Sequence, residues 1–207
     1  MVVRYLLEMV FLCDVQAFNN AIDSGSTEVV QMFLDIDPTV VAYVGSHNKT
    51  CLDVAFNGYI PREKTVPMIR LLMAHGADPN RPTPLMWKAI SSSYPEAVEE
   101  LERHGARPSK VNFLSTAVRG GSIEMVRHLV DGGAPLNPSA GEESEWTVLH
   151  QAVRLGKDDI VAFLLERGAD PTIRDDQLHQ TPLETTEANG RPTAADLLRN
   201  ALKGRHT

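Results

Sequence analysis

The sequence predicts an all-α solenoid, a single domain over residues 1–207 built from stacked helix-turn-helix units. Three recurring phrases predict it. One is HGADPN (75–80), HGARPS (104–109), GGAPLN (132–137) and RGADPT (167–172). A second runs up to an alanine: TCLDVA (50–55), PLMWKA (84–89), NFLSTA (112–117) and TVLHQA (147–152), with TPLETT (181–186) as a variant and QAFNNA (16–21) as a degenerate first copy. The third follows the second with a Gly and an amphipathic run: GSTEVVQMFL (25–34), GSIEMVRHLV (121–130), GKDDIVAFLL (156–165) and GRPTAADLLR (190–199). In SYPEAVEELE (93–102), Ser93 takes the Gly place. Copies of the second phrase begin at 16, 50, 84, 112, 147 and 181, with spacings of 34, 34, 28, 35 and 34. Such a period is the mark of a repeat array, because one helix pair cannot bury its apolar face without a neighbour.

The elements follow in order. VVRYLLEM (2–9) reads as the second helix of a unit whose first helix is missing, either a half-repeat cap over residues 1–12 or part of a longer array. Six units follow, starting near 16, 50, 84, 112, 147 and 181. Each has a short helix, a Gly-marked turn, a second helix with apolar residues at helical spacing, a Gly stop and a connector. Gly76, Gly105, Gly133 and Gly168 stand where a helix ends with positive φ. Thr50, Thr147 and Thr181 open first helices, where a hydroxyl can satisfy an orphan N–H. Leu52, Leu114, Leu149 and Leu183 share one slot, each expected to contribute roughly 1.5–3 kcal/mol on burial. Ala55, Ala89, Ala117 and Ala152 share another and let helices approach closely. Unit two carries an insertion, NGYIPREKT (57–65), a polar loop that is either a tolerated surface excursion or a flap. Residues 201–207 form a polar tail.

Composition bounds the function classes. The 207 residues are 43% hydrophobic and 23% charged, enough for a packed core. A net charge of −7 argues against a nucleic-acid binder or a protein adsorbed on anionic membranes. Cys13 and Cys51 make neither a disulfide framework nor a CxxC pair, which points to reduced thiols in an intracellular protein, cytoplasmic or nuclear. The N-terminus imitates a signal peptide until Glu8 interrupts its apolar run. The glycosylation sequon Asn48-Lys49-Thr50 is taken as chance.

The phrase T-P-L-H-x-A at a period near 33 is that of ankyrin repeats. Over about residues 1–200 the chain resembles the ankyrin-repeat family, most strongly at TVLHQA and GKDDIVAFLLERGADP (147–171). The resemblance implies a hairpin finger in each connector and a hydrogen-bond network through the Thr and His of the phrase, with His150 its one full match. It also implies a protein-interaction module whose partner meets the finger tips and the C-terminal ends of the first helices. Carried over position by position, that surface takes Asp23, His47, Lys49, Arg119, Trp146, Arg154 and Gln180, with Asn57 and Leu155 beside them and Trp87, in the family His position, just behind. The connectors beginning at Asp37, Gly133 and Gly168 are long. Those after Gly76 and Gly105 are short, which implies a groove open in its middle.

Arg119 and Arg154 share a register position, as an anion clamp or as solvated arginines. Trp146 is either an exposed contact or a finger packed on its own stem. No nucleophile elbow, P-loop, dinucleotide fingerprint or zincin motif is present, no histidine shows metal-ligand spacing, and no cofactor is implied. The chain is thus expected to bind a protein partner. The alternative is a small-molecule site, or a cofactor-independent catalytic groove assisting proton transfer or cyclisation of an anionic substrate.

Overall fold

The computed structural model describes residues 15–45, 49–80, 85–106, 110–137 and 146–204. Among them are twelve α-helices, one 3-10 helix and no strand. In order these are α1 (Val15–Asp23), α2 (Thr27–Ile36), the 3-10 helix Pro38–Ala42, α3 (Cys51–Ala55), α4 (Arg62–Ala74), α5 (Leu85–Ser91) and α6 (Pro95–Arg103). Then come α7 (Lys110–Gly120), α8 (Ile123–Asp131), α9 (Val148–Leu155), α10 (Asp158–Glu166), α11 (Pro182–Ala188) and α12 (Pro192–Gly204). Contacts divide the chain into two compact units, residues 1–89 with 94–107 and residues 90–93 with 108–207.

In the first unit α1 packs on α3 in one layer, and α2, α4 and α6 pack in succession in the other. Phe18, Ile22, Leu34, Leu52, Met68, Ile69, Leu72 and Leu101 are buried between the layers. The rings of Phe18 and Phe33 stand 5.8 Å apart in a tilted pair. In the second unit α7, α9 and α11 form one layer and α8, α10 and α12 the other. Leu114, Val118, Met125, Leu149, Val153, Ile160, Leu164 and Leu198 fill it. The alanine slot is buried at Ala55, Ala89, Ala117 and Ala152. Where TPLETT puts Thr186 in that slot, its hydroxyl donates to Leu183 O at 2.6 Å, so the buried oxygen is satisfied.

The expected punctuation is present. Thr50 and Thr181 close capping boxes with Asp53 and Glu184, and Thr147 accepts from His150 N. Ser26 and Ser122 cap α2 and α8 in the same way. Each Gly stop has positive φ, from 81° at Gly105 to 93° at Gly168. Ser93 adopts φ 52°, so the one unit without glycine at its inter-helix turn keeps the left-handed turn despite its Cβ.

Four expectations are corrected. The insertion is loop only as far as Pro61. Arg62, Glu63, Lys64 and Thr65 already belong to α4, which absorbs Pro67 near its start. The connector after Asp37 opens as a 3-10 helix because Asp37 caps it, accepting from Thr39 N at 2.9 Å. Helix α7 begins at Lys110, ahead of the phrase that opens at Asn112. Leu183 is only half-buried, so the leucine slot is fully buried at Leu52, Leu114 and Leu149 but not there.

Candidate functional site

The centre of the second unit's inner layer is the imidazole of His150, which is 0% exposed. Its Nε2 lies 2.9 Å from Gln180 O and its Nδ1 2.8 Å from Thr147 Oγ1. A carbonyl can only accept, so Nε2 carries the proton and Nδ1 accepts from the Thr147 hydroxyl. Burial lowers the His150 pKa, against the opposing effects of the Gln180 carbonyl and Asp175. The ring is therefore neutral at pH 7, a structural part rather than a proton carrier.

The finger it anchors is a turn closed by Asp175 N donating to Gln180 O at 2.9 Å. The buried Asp175 carboxylate accepts from Gln177 N, Leu178 N and Gln180 N at 2.9, 2.6 and 3.0 Å. Burial works against its charge, but those N–H donors and nearby His150 outweigh it and hold its pKa below the usual carboxylate value. A side chain that takes three N–H groups replaces a hairpin ladder, which explains a finger without strands.

Trp146, one residue before the Thr147 cap, meets His150 edge-on, with centroids 5.9 Å apart at 82°. Arg154, on the last turn of α9, reaches back along the helix and lays its guanidinium 4.2 Å from the Trp146 ring centroid. Trp146 is thus half-buried on its own stem with one face under a cation. Arg119 holds the equivalent place on α7 and is exposed. Gln180 contributes its backbone to the network, and its side chain is half-buried.

In the first unit Asp23 accepts from Asn57 Nδ2 at 2.7 Å, joining two of the expected surface positions. Lys49 is exposed and close enough to Lys88 to help lower its pKa, an effect led by burial of Lys88 and opposed by Asp53. Trp87 does not sit behind the surface. It is 50% exposed, because an indole is larger than the imidazole that fills this register position at His150. His47 lies outside the described residues. Cys51 is buried, its Sγ donates to Val41 O at 3.4 Å, and burial pushes the thiol up to about 12, so it is unreactive at neutral pH. Cys13 lies outside the described residues.

Cavities of about 540, 190 and 520 Å³ are present in the first unit, and none is lined by the predicted site residues. The largest lies between α4 and α6, where Arg70 and Arg103 clasp the buried Glu100. Those arginine bonds, Arg70 first, hold Glu100 below the usual carboxylate value despite its burial. Asp175, Lys157 and Arg191 were not legible as site candidates by resemblance. The signal for the two cations was the residue after the turn glycine, Lys in GKDD and Arg in GRPT against Ser in GSTE and GSIE.

This fold defines a helical repeat solenoid whose inner layer and turns are its characteristic surfaces. The Ankyrin repeats family model matches residues 85–175 in three copies, so that stretch of the chain is built of ankyrin repeats. A crystal structure of an ankyrin repeat domain from Acinetobacter baumannii AYE aligns over 91% of this chain and 98% of its own, with 25% identity and TM-score 0.73. The ankyrin repeat domain of Bcl-3 shares the fold at 19% identity and TM-score 0.73, over 89% of this chain and 85% of its own. The human 2-5A-dependent ribonuclease is 43% identical over 63 residues, which is 30% of this chain and 8% of that protein. The chain spans 8% or less of this and comparable curated relatives. Ankyrin repeats are in general protein-interaction modules. No helix among the described residues is long and apolar enough to cross a membrane.

Proposed function

We propose that the chain binds a protein partner through its finger tips and the C-terminal ends of its first helices, with Trp146 and Arg154 as the anchor. Arg119 and Gln180 extend the surface in the second unit, and Asp23, Lys49, Trp87 and His47 supply its counterpart in the first. The observation that carries this reading is the Arg154 guanidinium stacked on Trp146, whose ring is steadied by a buried histidine. Trp and Arg are the residues most enriched among binding hot spots. A pair already held in place has little side-chain freedom left to lose, so more of its contact energy is expressed as affinity.

The test is affinity capture of the partner from native extract, followed by calorimetry of the purified pair. The Trp146→Ala/Arg154→Ala double variant should weaken binding by about 10–100-fold, with its helical circular dichroism unchanged. A double variant that binds as tightly as the parent overturns the site.

A further inference from the structure

We infer that the turn edge of the second unit receives an acidic peptide segment of the partner, an inference that rests on the interaction reading above. The three turns that join first to second helices in this unit (119–122, 154–157 and 188–191) contain Arg119, Arg154, Lys157 and Arg191 and no carboxylate. Their geometry makes them one edge. A Cβ added at Gly121 would fall 2.7 Å from Lys157 Nζ, and one at Gly156 would fall 2.7 Å from Arg191 Cζ. Lys157 and Arg191 therefore each lie across the turn of the preceding repeat, at the glycines that Arg119 and Arg154 precede by two residues.

Among the described residues of the unit this edge is unanswered: none of the four has an ion-pair partner. Three other arginines of the unit do, Arg167 with Asp131, Arg174 with Glu184, and Arg199 with Glu187 and Asp196, while Arg127 lies over the Phe163 ring. The nearby carboxylates are placed otherwise. Glu124 accepts from the Ser122 hydroxyl, Glu187 is held by Arg199, and Asp158 and Asp159 sit in the first turn of α10, where the helix dipole favours them. On a chain with seven excess negative charges, a set of turns carrying four cations and no carboxylate is a specific complement to acid.

The spacing selects a peptide. Packed helices stand about 8–10 Å apart, and an extended chain covers about 10 Å in three residues. Carboxylates at every third residue would thus meet successive turns, each as a fork for a guanidinium. Leu155, 43% exposed beside Arg154, offers an apolar contact between the charges. Four cations on a net acidic protein are a poor match to the continuous charge of a nucleic acid.

The experiment uses the full chain and a fluorescent nonapeptide with glutamate at its first, fourth and seventh positions and Ser, Ala or Leu elsewhere, read by anisotropy. The peptide should bind, its all-glutamine analogue should not, and raising salt from about 50 to 200 mM should weaken binding about tenfold. Arg119→Glu and Arg191→Glu should each weaken it at least about fivefold, and Arg119→Lys, which keeps the charge but loses the fork, by less than either reversal. The proposal fails if the peptide does not bind or the glutamine analogue binds equally. It also fails if the reversals change nothing, or if a single-stranded DNA 20-mer binds as tightly. A captured partner lost on Trp146→Ala/Arg154→Ala but unmoved by Arg119→Glu/Arg191→Glu overturns this inference alone. One unmoved by either double variant overturns the interaction surface itself.

Discussion

At the fourth position of the recurring phrase the first unit carries Asp53 and the second His150, each three residues after a threonine cap. The Asp53 carboxylate accepts from Thr50 N and Thr50 Oγ1, both at 2.9 Å, and its charge also acts on Lys88 in the next repeat. His150 makes the same short bond to Thr147 but sends the other side of its ring thirty residues on, to Gln180 O. The carboxylate closes a helix and faces a neighbouring cation; the imidazole closes a helix and is bonded to the backbone of the next finger. The turn edges differ in the same sense. In the first unit Lys64 lies over Gly25, with Glu28 near enough that Lys64 contributes to its lowered pKa, behind its backbone and Ser26 hydrogen bonds. In the second, Lys157 and Arg191 take that place with no acid partner among the described residues. Register sets where a side chain stands, and the residue placed there decides whether its bonding capacity turns inward or outward.

The largest effect should come from breaking the longer link. His150→Ala leaves a cavity and takes one of two partners from each of Gln180 O and Thr147 Oγ1, a cost of about 3 kcal/mol, read as a lowered urea midpoint. The histidine also gives the second unit a pH signature. Its folded pKa is lowered below 6.5, so between the two values the unfolded chain binds a proton that the folded chain does not. Its contribution is complete above about pH 6.5 and is lost as pH falls from there toward the folded pKa. A His150→Gln variant should show a flatter dependence in that window, and an identical slope would refute the assignment. Asp53→Ala, which removes the acceptor of a capping box, should cost about 1–2 kcal/mol, with no change of slope near pH 6.5. A cost equal to that of His150→Ala would erase the distinction between the two positions.

The sequence made the architecture legible because repetition supplies internal controls. Thr50, Thr147 and Thr181 stand in one register and all cap helices. Ser93 could be placed in a left-handed turn from glycines elsewhere in the same phrase. What escaped was decided by single contacts without a period. The 3-10 helix depends on one carboxylate, Asp37, and the strandless finger on another, Asp175. Trp87 could be assigned a register position but not a depth, because depth follows from side-chain volume against a slot invisible in sequence. Likewise Trp146 and Arg154 could be named separately, whereas their stacking needed the helix between them to be built.

The smallest expected effect on stability belongs to the residue with the largest expected effect on binding. Arg154 is exposed, and its stacking on Trp146 should contribute only about 0.5–1 kcal/mol to the fold. Arg154→Ala should therefore shift thermal unfolding slightly, and Arg119→Ala, without a stacking partner among the described residues, less still. If Arg154 were chiefly a structural brace, its loss would destabilise as His150→Ala does, and partner affinity would fall only as the folded population fell. If it is part of a presented surface, affinity should drop while the folded population is unchanged, and Arg154→Lys should restore stability more fully than affinity, since an ammonium lacks the planar fork that stacks and bridges a carboxylate. Measuring both quantities on the same two variants separates a residue that holds the second unit together from one that the unit holds out.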